Sequence, residues 1–205
     1  MAAVGLAAAG LVVPVLERRP GFVVVAKPAG LVVHRNDWSR RGSLALVQLV
    51  RDQLGVYVHP VHRLDAGTSG CLIFAEDAAT TAMLQRAMSA DTATKTYYAM
   101  VRGNARADLG ETLNMAREIA DDKGVRRAAE TELWCPAGCF TEDLPEHVAH
   151  TGVAARINRG CSLVVARPKT GRWHQIRKHL GSLSHPILND ASHGDTRVRG
   201  APVWC

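Results

Sequence analysis

The sequence has no apolar run approaching the ~20 residues that a bilayer-spanning helix requires. It therefore carries no membrane segment, and the expected location is the cytoplasm, with an organelle as the alternative. Met1–Val13 is small and apolar, but Pro14 closes the run and no arginine precedes Arg18. Signal and transit peptides want basic residues there, so residues 1–14 are expected to be a frayed terminus or a first strand. Internal repeats and low-complexity tracts are absent as well. Cysteine is sparse and irregular: five residues, at 71, 135, 139, 161 and 205. An odd, unevenly spaced set argues against a secreted disulfide framework. Cys135 and Cys139, with His147 and His150 downstream, have a spacing that zinc permits. The interval is rich in Pro, Gly and acids, however, and no second cysteine pair follows, so no metal site is expected.

What is present is ordinary for a globular fold. Hydrophobic residues make up 47% and charged residues 21% of the 205, close to the globular average. That composition excludes a disordered tail, a collagen-like fibre and a disulfide miniprotein. A chain of this length suits a single domain, residues 1–205, able to bury a core without staples. Lysine and arginine number 25 against 19 acids, a net charge of +6. Such an excess permits a nucleic-acid partner without establishing one.

Strand and helix signals alternate without a βαβ rhythm. Phe22–Lys27 (FVVVAK) is a β-branched run closed by Pro28 and Gly30, which reads as a buried strand and a turn. Leu44–Leu54 has helical spacing, with Ser43 as its cap. Cys71–Ala75 reads as a strand. Asp77 is placed to cap a helix over Ala78–Met88, with Met83, Leu84, Ala87 and Met88 on one side. Thr96–Arg102 and Ser162–Ala166 read as strands, and His174–Leu183 as a helix stopped by Pro186. Residues 104–159 have no sustained period and are expected to form hairpins and loops, with a peripheral insertion at 135–156. The class is α+β, with a mixed, largely antiparallel sheet and flanking helices.

Three segments carry chemistry. The first is His62-Arg63-Leu64-Asp65-Ala66-Gly67-Thr68-Ser69-Gly70. It places a carboxylate beside an arginine on a glycine-bearing loop that enters a strand, a usual setting for a catalytic group. Taken alone, it equally suits a structural Asx-turn or an ion pair. The second is Lys95-Thr96-Tyr97-Tyr98, where strand alternation sends the two tyrosines to opposite faces. Two packing tyrosines would also explain it. The third, Arg167 to Leu180, holds the basic residues Arg167, Lys169, Arg172, Arg177 and Lys178 and no acid. His174, Arg177 and Lys178 are three and four apart and so share a helix face suited to phosphates, or simply to solvent.

Taken together, the segments resemble one family, the RluA/RsuA pseudouridine synthases, which isomerise uridine in RNA. The likeness rests on Lys27-Pro28-Ala29-Gly30-Leu31 with His34, on HRLDAGTSG at 62–70 and on KTYYAMVRG at 95–103. It continues through Ala129-Glu130-Thr131, TGRWHQIRKHL at 170–180 and HPILND at 185–190, in the family's order and over residues 15 to 198. LVVHRNDWSRRGSL at 31–44, QLVRDQLG at 48–55 and HGDTRVRG at 193–200 look like the branch that acts on tRNA. Asn189 departs from the pattern by standing where the family usually has glycine. Asn tolerates the left-handed backbone region, so the turn is expected to survive. The chain ends soon after 193–200, where family members continue, so a C-terminal strand region is expected to be missing.

The resemblance implies the family's catalytic fold, with a central cleft, and a reaction needing neither cofactor nor metal. It implies that Asp65 is the catalytic carboxylate, as nucleophile or as the base that triggers a glycal intermediate. Arg177 would pair with Asp65, since a guanidinium beside a carboxylate favours its ionised form. Tyr97 would stack on the uracil near C5, with Tyr98 as its packing partner. Arg63, preceded by His62, would fill the gap left by the flipped nucleotide, and Lys169, Arg172, His174 and Lys178 would hold phosphates. The implied partner is RNA, with tRNA favoured and rRNA the alternative, bound by a monomer. A catalytically silent RNA-binding protein on the same scaffold is the competing function.

Overall fold

The computed structural model describes residues 11–35, 44–136, 160–190 and 192–194. Residues 1–10 of the start expected to fray at 1–14, the Ser43 cap, the insertion from 137 onward, Cys139, His147, His150 and the segment after 194 lie outside them. Val13, within that start, is buried; its N–H donates to Gln53 Oε1 and its C=O accepts from Gln53 Nε2. The chain divides between Ala93 and Thr94 into two compact units.

The first unit is built on one antiparallel sheet in the order β1-β2-β4-β3. Its strands are β1 (Val15–Arg19), β2 (Phe22–Lys27), β3 (His59–Pro60) and β4 (Gly70–Ala75). β2 is central because FVVVAK alternates: Val23, Val25 and Lys27 are buried on one face, as a half-covered strand requires. They join Leu46, Val50, Val58, Leu72 and Phe74 in the core. β1, whose charged residues mask any strand signal in the sequence, is exposed at every position.

Helix α1 (Leu46–Leu54) begins later than its apolar spacing suggests. Its N-cap is Ala45, which offers no side-chain acceptor. The first orphan amides are satisfied instead by the chain before them, Leu46 N–H donating to Val32 O and Val47 N–H to Val33 O. Helix α2 (Ala78–Ser89) has the expected cap, Asp77 accepting from Thr80 N–H at 2.7 Å. That bond to the backbone holds the Asp77 carboxyl below its ordinary pKa. No residue of α2 is fully buried and Met83 is 56% exposed, so the expected apolar side is not a core face.

The second unit has a sheet in the order β5-β8-β7-β6, again antiparallel throughout. Its strands are β5 (Tyr97–Arg102), β6 (Leu113–Ala120), β7 (Arg126–Trp134) and β8 (Cys161–Pro168). The α+β class expected from sequence is present, with the pairing divided between two four-stranded sheets. The segment read as patchy contains a short helix, α3 (Ala105–Leu109), and the β6–β7 hairpin. Asp121 closes that hairpin, its Oδ1 accepting from Lys123 N–H and Val125 N–H at 2.9 Å each.

Helix α4 (Gln175–Ser182) follows β8 and packs on β6, β7 and β8. Leu180 enters a cluster with Ala99, Val101, Leu133, Val164, Ala166 and Ile187, and Tyr97 packs against its edge. Tyr98 points the other way and is 59% exposed. It is therefore not the packing tyrosine; Tyr97, partly buried, takes the core side of β5, and the two-residue period sends its neighbour out.

Candidate functional site

In the first unit the segment 62–70 is fixed from beneath by Lys27. Strand alternation carries this lysine into the core, where it is 1% exposed. Its Nζ donates to Pro28 O at 2.9 Å, Ala66 O at 3.1 Å and Thr68 O at 2.8 Å. Two of those carbonyls belong to the carboxylate-bearing turn, in which Thr68 N–H also donates to Asp65 O at 3.0 Å. Ala66 O accepts a second bond from Gly30 N–H at 2.7 Å, which ties Lys27-Pro28-Ala29-Gly30 to the loop. Burial pushes the Lys27 pKa down to about 8, against the opposing pull of the negative charge of Asp65.

Leu64 is buried and anchors the turn, while Asp65 is half-buried. His62 is engaged structurally, its Nε2 accepting from Ile73 N–H at 3.3 Å. Arg63 is exposed and makes no hydrogen bond or ion pair among the described residues. Its charge and that of Arg51 add to burial in lowering the pKa of His34.

In the second unit the chemistry gathers around α4. Arg177 donates to Asp190 from Nε at 2.7 Å and from Nη2 at 2.8 Å. Burial alone would raise the Asp190 carboxyl. The bonds and charge of Arg177, with His193 and Ser192 N–H, outweigh it and hold the carboxyl below the usual range. Asp190 reaches this position because Asn189 adopts φ 67°, the left-handed conformation expected of an Asn at that turn.

The start of α4 is held by Gln175, which is 5% exposed. Its Oε1 accepts from Thr170 Oγ1 at 2.7 Å and Arg172 N–H at 2.9 Å. Its Nε2 donates to Glu130 O at 2.8 Å and Thr131 Oγ1 at 2.9 Å. All four of the amide's hydrogen-bonding positions are used. Thr131 also meets His179 Nδ1 at 2.9 Å. Burial, and then the Arg117 charge, push the His179 pKa down to about 4.

The four residues expected to hold phosphates are placed differently from one another. Lys169 is exposed and paired with Glu130 at 2.6 Å, which raises its pKa. Arg172 is exposed, with Nε donating to Ala128 O at 3.0 Å. His174 is the N-cap of α4 at φ 56°, with Nδ1 2.9 Å from His193 Nε2. Lys178 donates to Ala120 O and lies 4.1 Å from the centre of the Trp173 ring. Arg177 and Lys178 are thus drawn to different elements, and with His174 they do not form the single open basic face that helical spacing suggested.

Sequence reasoning gives no role to Lys27, Asp190 or Thr131. The signal for Lys27 is present: in FVVVAK it shares the buried parity of Val23 and Val25. Asp190 and Thr131 are marked only by standing inside recognisable segments. Among the described residues no group of three or more His, Cys, Asp or Glu could hold a metal ion.

The fold and these two loops define a class. The RNA pseudouridylate synthase family matches residues 21–182, and the chain belongs to it. Such enzymes are isomerases that act on RNA. Among relatives, tRNA pseudouridine synthase C of Yersinia pestis is 36% identical over 176 residues, covering 86% of this chain and 68% of that protein. The protein of that name from Salmonella typhimurium is 36% identical over 187 residues, covering 89% and 70%. The solved structure of human RNA pseudouridylate synthase domain containing 1 shares the fold, with a TM-score of 0.72 at 21% identity, covering 95% of this chain and 76% of that one.

Proposed function

We propose that the protein isomerises a specific uridine of tRNA to pseudouridine, acting as a monomer in the cytoplasm. The C1′–N1 bond breaks, the uracil turns, and C5 joins C1′. The proton on C5 then leaves to a base and N1 is reprotonated. We assign the reacting carboxylate to Asp65, the residue stacked on the uracil to Tyr97, and the basic member of the site to Arg177. Arg63 is the residue that fills the stack once the nucleotide is extruded. Lys169, Arg172, His174 and Lys178, with His62 beside Arg63, belong to the RNA-binding set.

The observation that carries this reading is the Asp65 turn itself. A carboxylate meant only to close an Asx-turn needs no buried ammonium spanning three carbonyls beneath it. Lys27 supplies one, and a carboxylate carried on a fixed backbone suits attack on, or proton removal from, a sugar. The tRNA relatives at 36% identity over most of the chain support the choice of RNA.

The test is tritium release from tRNA and rRNA labelled at uridine C5, since only an isomerising enzyme frees that label. The wild-type protein is expected to release it from tRNA. Asp65→Asn should abolish release while leaving tRNA affinity in place. Release by Asp65→Asn at the wild-type rate would remove the assignment, and release from rRNA alone would move the substrate.

A further inference from the structure

The second unit holds a cavity of about 220 Å³, of whose lining residues only Arg172 has a role above. It is lined by Ile119, Asp121, Arg127, Gly171, Arg172 and Trp173. Its floor is apolar: Ile119 is 4% exposed and lies opposite Arg127 across the β6–β7 register. One wall is the indole of Trp173, 38% exposed. That ring is fixed before any ligand arrives, stacked on His174 at 4.0 Å between centres and 23° between planes, with the Lys178 ammonium beside it.

Its charged side chains are two guanidinium groups and one carboxylate. Arg127 is exposed and makes no hydrogen bond or ion pair among the described residues. Among the described residues the Arg172 guanidinium commits Nε alone, to Ala128 O. Asp121 is engaged in closing its own turn through Oδ1. Gly171 adds a separate indication. Its backbone is outside the left-handed region, and a Cβ there would meet nothing within 4 Å. Neither strain nor crowding within the protein calls for glycine, and the open space suits close approach by a ligand.

Two guanidinium groups with spare donors match a phosphate. An apolar floor and an aromatic wall between them match the planar base joined to it. A free anion would use only the first of these features. We propose that this cavity binds one nucleotide of the RNA other than the uridine that is isomerised. The proposal rests on the reading of RNA as substrate and adds a specificity subsite to it. Trp173 immediately precedes the cap of α4, and Arg177 lies one turn further on, so a nucleotide seated here fixes the RNA along that helix.

The test uses the full chain with tRNA carrying 5-iodouridine at one position at a time, irradiated and digested with trypsin. Cleavage after Arg172 and Arg177 isolates the peptide Trp173–Arg177. An adduct on that peptide is expected from a position other than the isomerised one. Gly171→Val, which fills the cavity from its wall, and Arg127→Glu should each raise the Kd for tRNA about tenfold, with the fall in turnover carried by KM rather than kcat. Adducts on this peptide only from the isomerised uridine, or wild-type Kd values in both folded variants, would overturn the proposal. Should Gly171→Val fail to fold, the cross-link on the wild-type protein decides. Normal tritium release with unaltered variants defeats the subsite alone. Absence of release from any RNA, with affinity still weakened in the variants, defeats the isomerase reading and leaves the subsite standing.

Discussion

Arg177 and Asp190 meet side-on, with two parallel hydrogen bonds of 2.7 and 2.8 Å between the guanidinium edge and the carboxylate. The Asp190 side chain is 4% exposed and that of Arg177 22%, so neither partner is readily replaced by water. Asp190→Asn should lower stability by about 2–3 kcal/mol, because it removes the negative charge from the paired hydrogen bonds to a partly buried cation. Urea denaturation measures this. Tritium release should fall with it, since the guanidinium loses its orientation. Arg177→Lys should fail to restore the rate, because an ammonium cannot make the paired hydrogen bonds.

Lys27→Met tests the clamp beneath Asp65. Methionine fills much of the same volume but removes the donor from Pro28 O and Thr68 O and leaves Ala66 O with Gly30 N–H alone, and a destabilisation of about 2–4 kcal/mol is expected. The kinetic signature should be a fall in kcat with tRNA affinity largely kept, because the substituted side chain touches the loop's backbone and not its outer face. An unchanged kcat in a folded variant would detach Lys27 from the site.

His179 sets an acid limit. It is 0% exposed, and its Nε2 has no hydrogen-bond partner among the described residues. Its pKa falls from 6.5 to about 4 on folding. The unfolded chain therefore binds this proton at a pH where the folded chain does not. The associated stability is present above pH 6.5 and disappears as pH falls towards 4, by about 2–3 kcal/mol in all. His179→Gln should flatten this part of the profile of melting temperature against pH, even though the variant is less stable near neutrality.

Salt should separate Arg172 from Arg63. Removing one phosphate-binding cation lowers the slope of log K against log salt by about 0.7–0.9. Arg172→Ala should show a decrease of that size in tRNA binding titrations. Arg63→Ala should show less, because its expected place is in the vacated stack; its main effect should fall on turnover.

The central strands were legible because their residues satisfy local and tertiary demands at once. FVVVAK is β-branched and alternates, and it forms β2 over the same six residues. Asp77 likewise caps α2 because one carboxylate can satisfy its orphan amides without help from elsewhere. The start of α1 was not legible, since its amides are satisfied by Val32 and Val33, distant in sequence. A hairpin is expected within residues 104–159, but the bounds of β6 and β7 are not legible, because MAREIA and RRAAET carry charge on exposed strand positions and dilute the apolar alternation. At the site, residue types alone leave Asp65 and Tyr97 open to structural readings, and the roles proposed for them and for Arg177 come from the family resemblance. The partner of Arg177 within its own unit, Asp190, depends on a turn through Asn189 that no periodicity encodes.

The Lys27 clamp grips only main-chain oxygens. Side chains at 66 and 68 can therefore be exchanged without disturbing the grip, provided the peptide groups stay where they are. Such a loop can drift in sequence around the carboxylate proposed to react, retuning which nucleotides it tolerates nearby while the backbone beneath that carboxylate stays in place.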